Sequence, residues 1–174
     1  MIILLNILEV VVVLIVITIA LLIHEMGHAM AVLLRNKKAR AEIYLGSLSK
    51  EKKLKLSLGR ITCYLTIAFS GICRISNPEE LSPSTTKQSL IFLTGGPIAS
   101  LLGFVTFYFL SHLISGVLGI IINRVAFMSL IVFFTSAIPF KYPSFLRHVA
   151  GLQTDGLQIF NILKEIRKQQ KIVT

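Results

Sequence analysis

Tryptophan is absent from this chain of 174 residues, charged side chains make up only 15% of it, and just 8 residues are acidic. An ordinary soluble domain is about one quarter charged and less than half apolar. Here 54% of the residues are hydrophobic and the mean hydropathy is +0.78, which excludes a typical soluble enzyme and an intrinsically disordered chain alike. Cysteine is nearly missing too. Cys63 and Cys73 stand ten positions apart, without the spacing of a disulfide framework or a zinc knuckle, and read as free thiols packed in a strand region. The five prolines and eleven glycines form no repeat or low-complexity tract. What remains is one integral membrane domain covering residues 1–174.

The shortage of acids leaves a net charge of +10, which in a soluble protein would suggest nucleic acid. The distribution argues otherwise. Of the 18 Lys and Arg, 11 lie between Arg35 and Lys87, 6 between Lys141 and Lys171, and the last is Arg124. Basic residues gathered between and after apolar runs follow the positive-inside rule, so no nucleic-acid partner is expected and the lipid bilayer is.

Three spans are expected, at about 9–34, 88–112 and 118–139. The first follows an N-terminus with no basic n-region and no small-residue cleavage site, so a retained helix is expected rather than a signal peptide. Its 26 residues would extend roughly 39 Å, enough for a bilayer core of about 30 Å. Arg35, Lys37, Lys38 and Arg40 then stop it at a basic interface. The turn between the second and third spans falls near Ser111 to Gly119, with Arg124 snorkelling outward, or at Asn123-Arg124. Between about 39 and 75 the hydrophobic period becomes two. Lys53 to Leu58 alternates, Gly59-Arg60 breaks the run, and Ile61 to Ile67 resumes it, giving a hairpin with Ala39 to Leu45 as a third strand. An open sheet cannot cross lipid, so this segment is placed on the cytoplasmic side. Ser84-Thr85-Thr86 is a candidate helix cap, and about 156–170 has the spacing of an amphipathic helix.

The chemistry concentrates in His24-Glu25-Met26-Gly27-His28. Histidines four apart on a helix differ by about 40° and one turn, so both imidazoles face one ion. Glu25 beside them is placed to take a proton from an activated water and pass it to a leaving amine. The bland alternative is an accidental polar cluster at a helix end. Three ionisable groups in an apolar helix are costly unless paired, metallated or hydrated. A catalytic zinc site needs a third protein ligand. Asp155, in Asp155-Gly156, is the only acid between Glu80 and Glu165. Asp-Gly alone reads more readily as a turn or helix cap than as a ligand. However, two spans after the histidines return the chain to the same side just before it.

His24, Glu25 and His28, then Gly95-Gly96-Pro97, then Asp155-Gly156, in this order with a basic strand region between the first two, resemble the site-2 protease family of intramembrane zinc metalloproteases. The resemblance covers nearly the whole chain. It implies a mainly α membrane fold of three helices with a small membrane-proximal sheet. It also implies one Zn2+ held by His24, His28 and Asp155, Glu25 as catalytic base, and Gly95, Gly96 and Pro97 as substrate-binding residues. Ser100 and Ser136 stand where the family often has Asn. The implied activity is endopeptidase cleavage of a membrane-bound or leader-type peptide near the cytoplasmic face. The implied location is a bacterial cell membrane, with the N-terminus outside and the C-terminus cytoplasmic.

Two other functions compete: a catalytically silent membrane scaffold or chaperone of the same fold, and a zinc transporter. Retention of Glu25 argues against the first. The second would call for acidic or histidine residues along several spans, whereas Gln88 to Phe140 has only His112. His148 reads as interfacial, His112 as structural on the opposite side, and Glu9 as hydrated near the outer end of the first helix.

Overall fold

A run of apolar residues without proline or glycine up to Gly27 allows the first helix to start earlier than hydropathy alone suggests. In the computed structural model, which describes residues 2–144 and 150–173, α1 covers Ile2–Arg35. Its 34 residues would reach about 51 Å at 1.5 Å each. The helix ends where Arg60 reaches its last carbonyls. The guanidinium donates to Asn36 O at 2.9 Å, Lys37 O at 3.0 Å, Ala39 O at 3.3 Å and Leu33 O at 3.2 Å. A fixed cation at the carbonyls in and just after the last turn suits the negative end of the helix dipole.

Four strands follow: β1 (Ala41–Leu45), β2 (Leu54–Leu58), β3 (Ile61–Leu65) and β4 (Gly71–Ile75). Their order is β2-β3-β1-β4, with β1 parallel to β3 and antiparallel to β4. The β2–β3 hairpin is the expected one. Leu58 pairs with Ile61 across Gly59-Arg60, and Gly59 takes φ +60°, as the first central residue of a type II′ turn requires. The third strand is also where the period placed it. The fourth, β4, extends the sheet past the three strands expected. Ala41, Ile43, Leu45, Ile61 and Cys63 form one apolar sheet face and bury against Ala29 and Leu33 of α1. That contact joins the sheet to the last turns of the helix.

Thr85 closes a capping box with Gln88 and starts α2 (Thr86–Leu113). Gly116, at φ +76°, then opens α3 (Gly116–Ala137). The break at Ile114-Ser115 settles the boundary in favour of the earlier of the two expected positions. Arg124 therefore lies inside α3, where it pairs with Glu9 at 2.7 Å. The two groups expected to be separately hydrated instead link α3 to α1. α1, α2 and α3 are each long and apolar enough to cross a membrane. α1 and α2 approach closely at Gly27 and Gly95, where a Cβ on Gly27 would lie 2.2 Å from the Gly95 carbonyl oxygen. Small residues at such a crossing let two backbones touch.

After α3 the chain runs out and back. Tyr142 N donates to Leu152 O at 2.9 Å, Gly151 N to Tyr142 O at 2.9 Å and Thr154 N to Phe140 O at 3.1 Å. α4 (Asp155–Val173) follows. Thr154 is 1% exposed and is the local keystone. Its hydroxyl donates to Ile138 O at 2.8 Å and accepts from Leu157 N at 3.3 Å, tying the end of α3 to the first turn of α4. Thr154 thus takes the capping role that the sequence offered to Asp155, and leaves the Asp155 carboxylate free for the site.

Candidate metal centre

His24 and His28, one turn apart on α1, place their Nε2 atoms 3.2 Å from each other. Asp155 Oδ2, at the start of α4, lies 3.2 Å from His24 Nε2 and 3.4 Å from His28 Nε2. These three atoms belong to the one group able to hold a metal among the described residues. Ligands at about 2.0–2.1 Å from a tetrahedral zinc ion are separated from each other by roughly 3.3–3.4 Å. The observed spacings match that requirement, and two nitrogens with one carboxylate oxygen form a suitable zinc donor set.

The outer nitrogens are oriented as well. His28 Nδ1 lies 2.7 Å from the carbonyl oxygen of Phe92, which can only accept, so the ring carries its proton on Nδ1 and turns the Nε2 lone pair inward. His24 Nδ1 lies 3.0 Å from Ser100 Oγ, a buried hydroxyl on α2. Ser100 was singled out in the sequence only as a departure from a pattern. Its position one turn after Gly96, on the face of α2 turned to α1, is the signal that would have found it.

Gly96 leaves room for this arrangement. A Cβ there would lie 2.3 Å from His28 Nε2 and 2.7 Å from His24 Nε2. The space beside the two nitrogens therefore exists because residue 96 has no side chain. Gly95 contacts Gly27, and Pro97 is buried in α2. Gly95, Gly96 and Pro97 bring α2 against α1 and make space for the imidazoles. Gly156 allows a similar approach, since a Cβ there would lie 1.8 Å from Ala137 O.

Glu25 is 5% exposed and faces β4, where a Cβ on Gly71 would fall 2.6 Å from its Cγ and 2.7 Å from its Oε1. The first residue of β4 is thus glycine where the carboxylate needs the volume. His24, Glu25, His28 and Asp155 all border a cavity of about 980 Å³, which β4 also lines from Gly71 to Arg74. β4 is an edge strand: β1 occupies one of its sides and, among the described residues, no strand occupies the other.

Burial raises the Asp155 carboxyl, but hydrogen bonds and charge from His24 and His28 outweigh it and hold the group at about 2. Asp155 is therefore ionised at neutral pH, as a metal ligand must be. Burial, helped by the Glu25 charge, pushes the Cys73 thiol up. Burial and the charges of Asp155 and Glu25 push the Tyr142 phenol up to about 12. Cys63 and Cys73 are free, in β3 and β4, within the strand region expected of them. His112 is exposed at the far end of α2, its Nδ1 bonded to Tyr108 O at 2.8 Å. His148 lies outside the described residues.

The family model of peptidase family M50 matches residues 12–173, nearly the whole chain. No curated protein and no solved structure matches it.

Proposed function

The chain belongs to peptidase family M50, and from that premise we propose that it is a zinc-dependent endopeptidase, cutting a membrane-bound or leader-type peptide near the cytoplasmic face. The observation that carries this reading is the convergence of His24 Nε2, His28 Nε2 and Asp155 Oδ2 to within 3.2–3.4 Å of one another, with Glu25 bordering the same cavity. When bound to these three residues, zinc supplies a Lewis acid that polarises the scissile carbonyl and acidifies a water.

The remaining work falls to the chain itself. Glu25 accepts a proton from the attacking water as the water oxygen bonds to the carbonyl carbon. It then delivers that proton to the amide nitrogen, so that the C–N bond breaks with the electron pair leaving on a neutral amine. Phe92 O and Ser100 Oγ hold the imidazoles in register throughout. Substrate presentation falls to the free edge of β4. A helical substrate hides its amides in its own hydrogen bonds, and an edge strand offers replacement partners to an unwound segment. β4 is the edge strand that borders the cavity.

Three apolar helices long enough to span a bilayer support embedding in a membrane, and the basic 35–87 region supports an orientation with the strands and the C-terminus in the cytoplasm and the N-terminus outside. The test is Glu25→Gln. The amide keeps the shape of the carboxylate but cannot carry the proton, so cleavage by the reconstituted protein should fall at least 10²-fold with zinc content unchanged. Equal cleavage by variant and parent would refute the proposal.

A further inference from the structure

Hydrolysis turns the scissile carbonyl oxygen into an oxyanion, and a hydrogen-bond donor aimed at that oxygen stabilises the transition state more than the ground state. On the protease reading above, that donor belongs among the groups that border the cavity. Most are already committed. Thr135 donates to Ile131 O, Ser136 to Phe133 O and Thr154 to Ile138 O. Gln158 donates to Gln153 O, and Gln153 Oε1 accepts from Asn161 Nδ2, which tethers the Gln153 amide to α4 but leaves its nitrogen as a further donor. Arg74 borders the cavity, but Gly71 is the β4 residue against Glu25, so strand alternation sends Arg74 to the opposite face from Gly71 and Cys73. Two hydroxyls, those of Ser70 and Tyr142, line the cavity with no hydrogen bond to a described residue.

Tyr142 has the better position. Its backbone is clamped on both sides, by Leu152 O and Gly151 N, on the same pair of extended segments that delivers Asp155 to the centre. Its ring packs edge-on against Phe140 at 5.5 Å, which limits where the hydroxyl can swing. The phenol is near enough to the centre to feel the charges of both Asp155 and Glu25, yet bonds to neither. We infer that Tyr142 is a further catalytic residue, whose hydroxyl donates a hydrogen bond to the scissile carbonyl oxygen as negative charge develops on it. No proton is transferred: the phenol stays intact, while Glu25 alone moves the proton from water to amine. The upward shift of the phenol keeps it a donor throughout the neutral range.

The test uses the full chain in detergent and a quenched fluorescent peptide selected from a random library for Glu25-dependent cleavage by the parent. A phosphinic analogue of that peptide, with a tetrahedral centre in place of the scissile amide, serves as the second probe. Tyr142→Phe should lower kcat by about 10²–10³-fold, the effect of deleting one oxyanion donor. KM and zinc content should not change. The variant should bind the phosphinic analogue more weakly by a similar factor. Measured in the Glu25→Gln background, where turnover is blocked, affinity for the uncut peptide should be the same with Tyr or Phe at 142. Ser70→Ala should match the parent in every measurement.

Parent-level kcat and phosphinate affinity for Tyr142→Phe would overturn the assignment. So would a loss of zinc together with uncut-peptide binding, because that pattern describes a structural residue. Failure of every library peptide to show Glu25-dependent cleavage by the parent would instead overturn the protease reading, and this inference with it.

Discussion

Replacing Gly96 by Ala adds one methyl group at the most crowded point of the site. The new Cβ would lie 2.3 Å from His28 Nε2 and 2.7 Å from both Nε2 and Cε1 of His24. Ordinary carbon contacts start at about 3.5 Å, so a ring or a backbone has to move by roughly 1 Å. The backbone of α2 has little freedom, because Gly95 is already against Gly27 with a would-be Cβ only 2.6 Å from the Gly27 carbonyl oxygen. The rings therefore move, breaking from Phe92 O and Ser100 Oγ. Overpacking of this kind costs about 1–3 kcal/mol in stability, and disturbing the partners that orient metal-ligating histidines lowers metal affinity by about 10–100-fold. The assay is zinc retention against a competing chelator, with thermal unfolding in parallel. Gly103→Ala on the same helix is the control: its Cβ would meet only side chains, Ile23 Cγ2 at 3.1 Å and Ser129 Oγ at 3.4 Å, which can give way. Gly96→Ala should lose zinc at chelator concentrations where the parent and Gly103→Ala keep it. Equal retention by all three would refute the claim that residue 96 keeps the metal space open.

Gly71→Ala should separate chemistry from metal binding. Its Cβ would displace the Glu25 carboxylate without approaching a ligand, so cleavage should fall at least 10-fold while zinc content, read by atomic absorption, stays at the parent level. Arg60→Ala removes four hydrogen bonds to the carbonyls around the end of α1. It should lower stability by about 1–2 kcal/mol, measured as thermal midpoint in detergent, with Arg60→Lys recovering only part because an ammonium has no fork to span several carbonyls.

The parts of this fold that sequence reveals are those governed by local periodicity. Hydropathy outlines three helices, alternation identifies the Leu54–Leu58 and Ile61–Leu65 hairpin, and the four-residue spacing of His24 and His28 puts both rings on one face. Asp155 could be nominated because two intervening helices return the chain to the same end. The features that escape are those created by contact between distant segments. β4 is only five residues long and exists by pairing with β1, a partner some thirty residues earlier. Gly95-Gly96-Pro97 does not show by itself what its missing side chains make room for, which the packing of α2 against α1 determines. Likewise nothing local marks Tyr142 as lining the same cavity as Asp155, or Glu9 as a partner for Arg124. These depend on loop pairing and helix packing that no periodicity encodes.

The central claim is that His24, His28 and Asp155 bind one zinc ion and leave a position for water. Zinc K-edge X-ray absorption on protein loaded with one equivalent tests it most directly. The spectrum should show four nitrogen or oxygen neighbours at about 2.0–2.1 Å, including imidazole scattering, with the signal lost in the His24→Ala variant. A sulfur neighbour at about 2.3 Å, or an unchanged spectrum when both His24 and Asp155 are replaced by alanine, would contradict it.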